Sequence, residues 1–288
     1  MLNLGLIGDI QLLESYAKRA QAIPDIHITG KSSVGTFSQS GNFRLSAPEF
    51  NRIELIERSD VLLINRFSLL PFQLLCDMVK KSKHFFATSY PELDAGECEQ
   101  LAMLAAEAQT VIQIANPFYY LPAVQWLNKN IRHPAIIEVN HFKPEYQDID
   151  ILIKLLLMLK DAAGVNPKKA AAVSYHSTPA DSGFNNIQLE FANGTRVIVN
   201  YGKMGRLNEF SIKSYANNQF TEFDLIQDQS LCNNSPIDMA SFKEMNETDA
   251  FIHSILQKKQ SVTQIQDYSS VIQTVQKISS KLDRYSGN

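Results

Sequence analysis

The sequence predicts two domains in one chain: a parallel α/β domain first, then an α+β domain with an open, mainly antiparallel sheet. Three observations carry this. In the first half, short apolar runs alternate with segments of helical spacing, the pattern of βαβ units in a parallel sheet. In the second half, strand-like runs follow one another without helices between them, which implies antiparallel pairing. The length of 288 residues also leaves room for two cores. The boundary is expected near Asn116–Pro122, giving domains 1–120 and 121–288.

The elements follow in order. Leu2–Ile7 is a buried strand ending at Gly8, and Leu12–Ala22 is a helix stopped by Pro24. Ile26–Thr29 is a second strand, and the polar, Ser/Gly-rich stretch Lys31–Ser46 is expected to be loop. Pro48–Arg58 is expected to be helical, with proline in the tolerated first turn. Val61–Ile64, His84–Ala87 and Val111–Ile114 are strands, and Pro71–Lys80 is a helix. Asp94 and Glu97 form a capping-box pattern ahead of a helix that runs through Ala108. Beyond the boundary, Ile149–Leu159 is an apolar helix and Lys168–Ser177 a strand. Ile187–Phe191 and Arg196–Tyr201 flank Asn193-Gly194, which predicts a hairpin with a type I′ turn. Glu209–Tyr215 and Phe220–Ile226 are further strands, and Asn246–Lys259 and Tyr268–Tyr285 are closing helices.

Composition excludes several classes. The 27 basic and 30 acidic residues give a net charge of −3, without the basic excess of a nucleic-acid-binding surface. A 44% apolar content excludes disorder as the dominant state. Three cysteines with no CxxC do not make a disulfide scaffold, and a reducing cytoplasm is the simplest setting. The N-terminus lacks a basic region and meets Asp9, so a signal peptide is not expected. The apolar tract Ile149–Leu159 is too short to span a membrane. The six histidines show no metal-ligand spacing, and no metal site is expected.

Glycine is scarce: 12 in 288 residues, about 4% against a usual level of about 7%. The shortage matters most at the first strand–helix turn. There a dinucleotide-binding domain uses glycines so that its backbone can approach the pyrophosphate at the helix N-terminus. This chain reads Gly8-Asp9-Ile10-Gln11-Leu12-Leu13. Gly8 can serve as the first glycine of the GxGxxG pattern, but Ile10 and Leu13 occupy the second and third positions. Ile10 would crowd a diphosphate, and Asp9 would put negative charge beside it.

The order of elements and several local patterns now bring a family into view. Asp60-Val-Leu-Leu-Ile-Asn65, Lys83-His-Phe-Phe-Ala-Thr-Ser-Tyr-Pro91, Asp148-Ile-Asp150 with its leucine-rich helix, and Asp181 followed by the hairpin Ile187–Phe191 with Asn193-Gly194 occur in order. Over nearly its whole length the chain resembles the Gfo/Idh/MocA oxidoreductases. The resemblance implies an N-terminal Rossmann domain, a C-terminal open-sheet domain, NAD(P) as cofactor, and a homo-oligomer through that sheet. It also implies a small-molecule ligand in the cleft between the domains.

Carried over one by one, the functional positions depart from the family. The cofactor-binding positions fall on Gly8, Asp9, Ile10, Lys31, Ser32, Asn65 and Ser89. The lysine of the family's EKP motif is replaced by Tyr90, within Ser89-Tyr90-Pro91. Biliverdin reductase, a relative, carries tyrosine there. The histidine of the HDID motif falls on Gln147, which has no useful proton affinity near neutrality. The ribose-binding acid is absent from Gly30-Lys31-Ser32-Ser33, a cluster that would suit a 2′-phosphate. Asn140–Gln147 replaces a longer glycine-rich segment, and Ala115-Asn116-Pro117-Phe118 stands where many members are basic.

Each feature also has a plainer reading. Gly5 and Gly8 suit a tight turn without any nucleotide, Lys31 a solvated loop, and Tyr90 a strand end with a wet hydroxyl. His141 and His176 are either cleft residues or ordinary histidines. Phe118-Tyr119-Tyr120 either stacks on a ligand or packs the domain junction, and Cys76 reads as a packed thiol. Two functions remain in view. One is a divergent family member with a degenerate phosphate loop and weak or lost hydride transfer. The other is an active NAD(P)-dependent oxidoreductase of a sugar-like or other small carbonyl or hydroxyl substrate, using Tyr90 and holding NADPH through Lys31–Ser33.

Overall fold

The structure is a computed structural model that describes residues 1–34, 45–145, 150–176, 182–242, 246–259 and 262–285. Gln147, Asp148 and Asp181 lie outside the described residues. In chain order the elements are β1 (Leu2–Gly8), α1 (Ile10–Gln21), β2 (Ile26–Ser33), α2 (Arg52–Arg58), β3 (Val61–Ile64), α3 (Phe72–Lys80), β4 (His84–Ala87), α4 (Ala95–Ala108) and β5 (Ile112–Ile114). They continue as α5 (Pro122–Asn130), β6 (Ile136–Phe142), α6 (Ile151–Ala163), β7 (Pro167–His176), β8 (Ser182–Phe191), β9 (Arg196–Met204) and β10 (Glu209–Ala216). The last are β11 (Gln219–Asp224), β12 (Gln229–Cys232), β13 (Ser235–Pro236), α7 (Glu247–Leu256) and α8 (Ile265–Tyr285).

The chain divides into two compact units, one of Met1–Asn116 with Met245–Ser269, the other of Pro117–Glu244 with Ser270–Asn288. The first unit holds a five-stranded parallel sheet in the order β2-β1-β3-β4-β5. Leu4, Leu6 and Ile7 and all four residues of β3 are fully buried, as strands covered on both faces must be. Leu13 and Ala17 of α1 join the same core, together with Phe251 and Ile252 of α7. That contact explains why a late segment, placed by the sequence reading in the second domain, returns to the first unit. Just after α7 the chain also extends the sheet edge. Ile114 donates its amide to the Thr263 carbonyl at 2.9 Å, and the Thr263 hydroxyl donates to the Ile114 carbonyl at 2.8 Å. The capping box of α4 is present, with Asp94 and Glu97 each accepting the other's amide at 2.8 and 3.1 Å.

The second unit holds an eight-stranded sheet in the order β13-β12-β11-β10-β6-β9-β8-β7. All pairings are antiparallel except that of β6 with β9. Helix α6 is apolar nearly all round, so Leu155, Leu156, Leu157, Met158 and Leu159 are all at most 2% exposed.

Four expectations change. Strand β2 runs on to Ser33, into the expected loop. The helix expected from Pro48 begins at Arg52, because Asn51 caps it by accepting the Glu54 amide at 2.9 Å. Residues 48–50 instead lie along the edge of β2. The Lys31 amide donates to the Pro48 carbonyl and the Phe50 amide to the Lys31 carbonyl, both at 2.9 Å. Two elements lie where the sequence reading named none, α5 and β6, and β6 sits centrally between β10 and β9. Finally, the Asn193-Gly194 turn is not type I′. Gly194 has φ +90°, while Asn193 is absent from the positive-φ residues. The Gly194 amide donates to the Phe191 carbonyl at 3.0 Å and the Phe191 amide to the Thr195 carbonyl at 2.9 Å, the three-residue hairpin with a left-handed glycine. The Asn193 side chain is committed elsewhere, donating to the Ala163 carbonyl at 2.9 Å.

Candidate functional site at the carboxyl edge of the parallel sheet

In an open parallel sheet, ligands bind beyond the carboxyl ends of the strands, where the strand order reverses. The order here reverses at β1, with β2 on one side and β3 on the other. Gly8, Asp9, Lys31, Ser32, Asn65, Ser89 and Tyr90 all stand at or just past those strand ends.

Gly8 is required by the protein itself. Its φ is +130°, and a Cβ there would lie 2.4 Å from the Asn65 Cβ. Asn65 is only 8% exposed, and its amide donates to the Ile7 carbonyl at 2.9 Å. The Ser89 hydroxyl donates to the Asn65 carbonyl, tying the end of β4 to the end of β3. Asn65 and Ser89 thus act as a brace under the strand tips.

Asp9 is the N-cap of α1. Its carboxylate accepts the amides of Gln11 at 2.9 Å and Leu12 at 3.5 Å. These amides open a helix N-terminus, where a diphosphate would otherwise find donors and a favourable dipole. Ile10 leans on the core and Leu13 lies inside it, so neither side chain reaches out over the turn. A fixed carboxylate on the helix amides does not fit a diphosphate.

At the tip of β2, the donors suggested for a 2′-phosphate are already engaged. The Lys31 ammonium donates to the Leu45 carbonyl at 3.2 Å. Ser33 donates its amide and its hydroxyl to Glu49, at 2.5 and 2.9 Å. Glu49 thus restores a carboxylate to a strand end whose own sequence lacks one. Ser32 is 7% exposed.

Tyr90 is 9% exposed and its hydroxyl oxygen is buried, so the wet hydroxyl of the plainer reading is not found. Its ring stacks on Tyr268, with centroids 6.0 Å apart and planes 12° apart. Tyr268 in turn donates its hydroxyl to the Pro91 carbonyl at 2.7 Å.

A second polar group was not foreseen. Glu247 opens α7 and is 9% exposed. It accepts the Tyr16 hydroxyl at 3.0 Å and the Asn116 amide at 2.8 Å. Burial, reinforced by the Glu247 charge, pushes the Tyr16 hydroxyl pKa well above its ordinary value. The signal in the sequence was slight: an acid in the first turn after Asn246, with nothing to mark its distant partners.

The remaining candidates are structural. His84 accepts the Val111 amide at 3.0 Å, and burial holds its pKa below the ordinary 6.5. His141, in the second unit, is 1% exposed and lies edge-on to Phe210, with centroids 4.9 Å apart. Phe118 packs on the same Phe210 ring, also at 4.9 Å. Cys76 is 2% exposed, and burial pushes the Cys98 thiol up to about 12. Among the described residues no group of three or more His, Cys, Asp or Glu side chains could hold a metal, and no helix is long and apolar enough to cross a membrane.

No family model and no curated protein matches the chain. Solved structures do match it along nearly its whole length. UDP-N-acetylglucosamine 3-dehydrogenase GnnA from Acidithiobacillus ferrooxidans is similar at TM-score 0.81 and 16% identity, covering 99% of this chain and 98% of that one. Biliverdin reductase from Synechocystis, solved with biliverdin and NADP+, is similar at TM-score 0.69 and 14% identity, covering 98% and 99%. GenD2 from gentamicin A biosynthesis, solved with NAD, is similar at TM-score 0.73 and 11% identity, covering 97% and 93%. The architecture is the two-domain fold of the Gfo/Idh/MocA-type dehydrogenases.

Proposed function

We propose that this chain keeps a dehydrogenase architecture around a degenerate dinucleotide cradle, with hydride transfer weak or lost. The observation that carries this is the Asp9 carboxylate on the Gln11 and Leu12 amides. A phosphate charge brought to about 4 Å from that carboxylate meets a repulsion of roughly 4 kcal/mol at an effective dielectric of 20, less where water screens it. It also loses the amides that a phosphate loop offers. The packing of Tyr90 against Tyr268 supports the same reading, since a proton donor has to touch its ligand.

Titration with NADH and NADPH, followed by calorimetry or fluorescence, tests this. Wild-type protein is expected to bind at millimolar concentration or not at all. Asp9→Asn keeps a good N-cap and removes the charge, and is expected to tighten binding of both cofactors about tenfold. Saturation of the wild type in the micromolar range would sink the proposal.

The proposal includes a homo-oligomer through the sheet of the second unit. On one face Asn186 donates to Asn200 at 2.7 Å, Asn200 to Asn140 at 2.9 Å and Asn140 to Glu209 at 3.0 Å. Amides that satisfy one another can be covered at small desolvation cost. Beside them Tyr175, 50% exposed, stacks on Phe184 at 4.7 Å. Light scattering should give a multiple of the 32.4 kDa chain mass, and Tyr175→Glu should lower it.

A further inference from the structure

We infer that the second unit binds a buried water between the hydroxyls of Ser214 and Thr221, on the inner face of its sheet. The site lies wholly within that unit and is independent of the proposed function.

Register brings the two hydroxyls together. Ser214 of β10 and Thr221 of β11 are direct partners across the strands, so their side chains leave the same face. That face is the inner one, because Ile212 and Phe223, two residues along on each strand, are both 0% exposed. Ser214 is itself 1% exposed and Thr221 0%. Neither hydroxyl has a hydrogen-bond partner among the described residues, so they do not bond each other. Leaving one buried hydroxyl unpaired weakens folding by roughly five- to a hundredfold in the equilibrium constant. Directly opposed residues hold their Cβ atoms about 4.5–5.5 Å apart. A water about 2.8 Å from each oxygen spans up to about 5.6 Å, and so joins two hydroxyls too far apart to bond directly. The helix above this part of the face offers a third group. Trp126 of α5 packs on Phe223, with ring centroids 5.8 Å apart, and Asn128 of the same helix buries both carboxamide atoms without a partner among the described residues. Two to four polar partners are what a buried water needs. The cross-strand row runs from Ile137, the β6 partner of Ser214, to Cys232, the β12 partner of Thr221. Ile137 is 0% exposed and Cys232 is half-buried, so the row opens toward β12, and a water would enter there.

Two measurements on the full chain test this. A high-resolution crystal structure of the wild type should show an ordered water within about 3.2 Å of both oxygens. A dry gap, or a direct bond between the two hydroxyls, overturns the inference. The second measurement is denaturant unfolding of Thr221→Val, Ser214→Ala and the double variant. Each single change should lower the folding equilibrium constant about fivefold or more, because it takes a partner from the water and leaves the other hydroxyl underpaired. The double variant should lose about as much as either single one, since the water then has no hydroxyl to hold it. Dry hydroxyls behave differently: Thr221→Val then removes an unpaired polar atom at almost constant volume and raises stability. A gain in Thr221→Val, or effects of the two changes that simply add, overturns the inference. If the variants do not fold, the wild-type crystal structure decides alone.

Discussion

Two carboxylates close the tips of neighbouring strands, and they arrive by different routes. Asp9 sits on amides two and three residues ahead of itself. Glu49 sits on Ser33, 16 residues away along the chain. The first is a local device that starts a helix. The second depends on a strand edge recruiting an extended segment. The same chemistry, a carboxylate accepting backbone amides, is therefore a matter of helix capping at β1 and of tertiary pairing at β2. Changes at the β1 tip should cost stability through the helix and the turn, whereas changes at the β2 tip, whose contacts are exposed, should cost less.

The largest expected effect sharpens this contrast at Gly8. Gly8→Ala places a Cβ 2.4 Å from the Asn65 Cβ at a φ of +130°, and should cost about 3 kcal/mol or more in denaturant unfolding. A loss below about 1 kcal/mol would show that the brace of Asn65 and Ser89 yields easily. Next, Asp9→Ala removes the cap of α1 and should cost about 1 kcal/mol, while Asp9→Asn costs little. Equal losses in the two would mean that charge, not capping, is what Asp9 contributes to folding. Glu49→Ala should cost no more than about 1 kcal/mol, because its contacts are exposed to water. A loss larger than that of Asp9→Ala would erase the distinction between the tips.

The opposite end of the sheet provides a control. Burial lowers the pKa of His84 in the folded state, so the unfolded chain takes up the proton first. The stability this contributes is present above pH 6.5 and is lost as pH falls through the folded pKa. Thermal melting at a series of pH values should show this loss, and His84→Gln should flatten it. An unchanged slope would assign the acid sensitivity to other groups.

What the sequence discloses follows the same division between near and far. Strands β1, β3 and β4 and the capping box of α4 are written in adjacent residues, because apolar runs and a three-residue spacing are local signals. The position of Asp9 at the phosphate turn was legible for the same reason. Glu49 was not, since nothing in Pro48-Glu49-Phe50 says that β2 will hold it, and proline ahead of an amphipathic stretch reads as a helix start. Strand β6 was hidden because it occupies the stretch between two well-signalled regions. Its inward residues Ile137, Val139 and His141 alternate with Glu138 and Asn140, a pattern that becomes plain only once its neighbours β10 and β9 are known. The return of α7 was hidden because Phe251 and Ile252 make an apolar face that any core could take.

That return has a consequence for how the protein is made. The parallel sheet begins with the second residue, yet its core takes in Phe251 and Ile252 and its edge is completed by Thr263. A ribosome adding about 5–20 residues per second has made Pro117–Glu244, the larger part of the second unit, before those residues appear. The first-born half must then wait for several seconds with an open seam. Chaperones that shield nascent apolar surface should be found on this half during synthesis, and chains halted before α7 should be the ones most readily degraded.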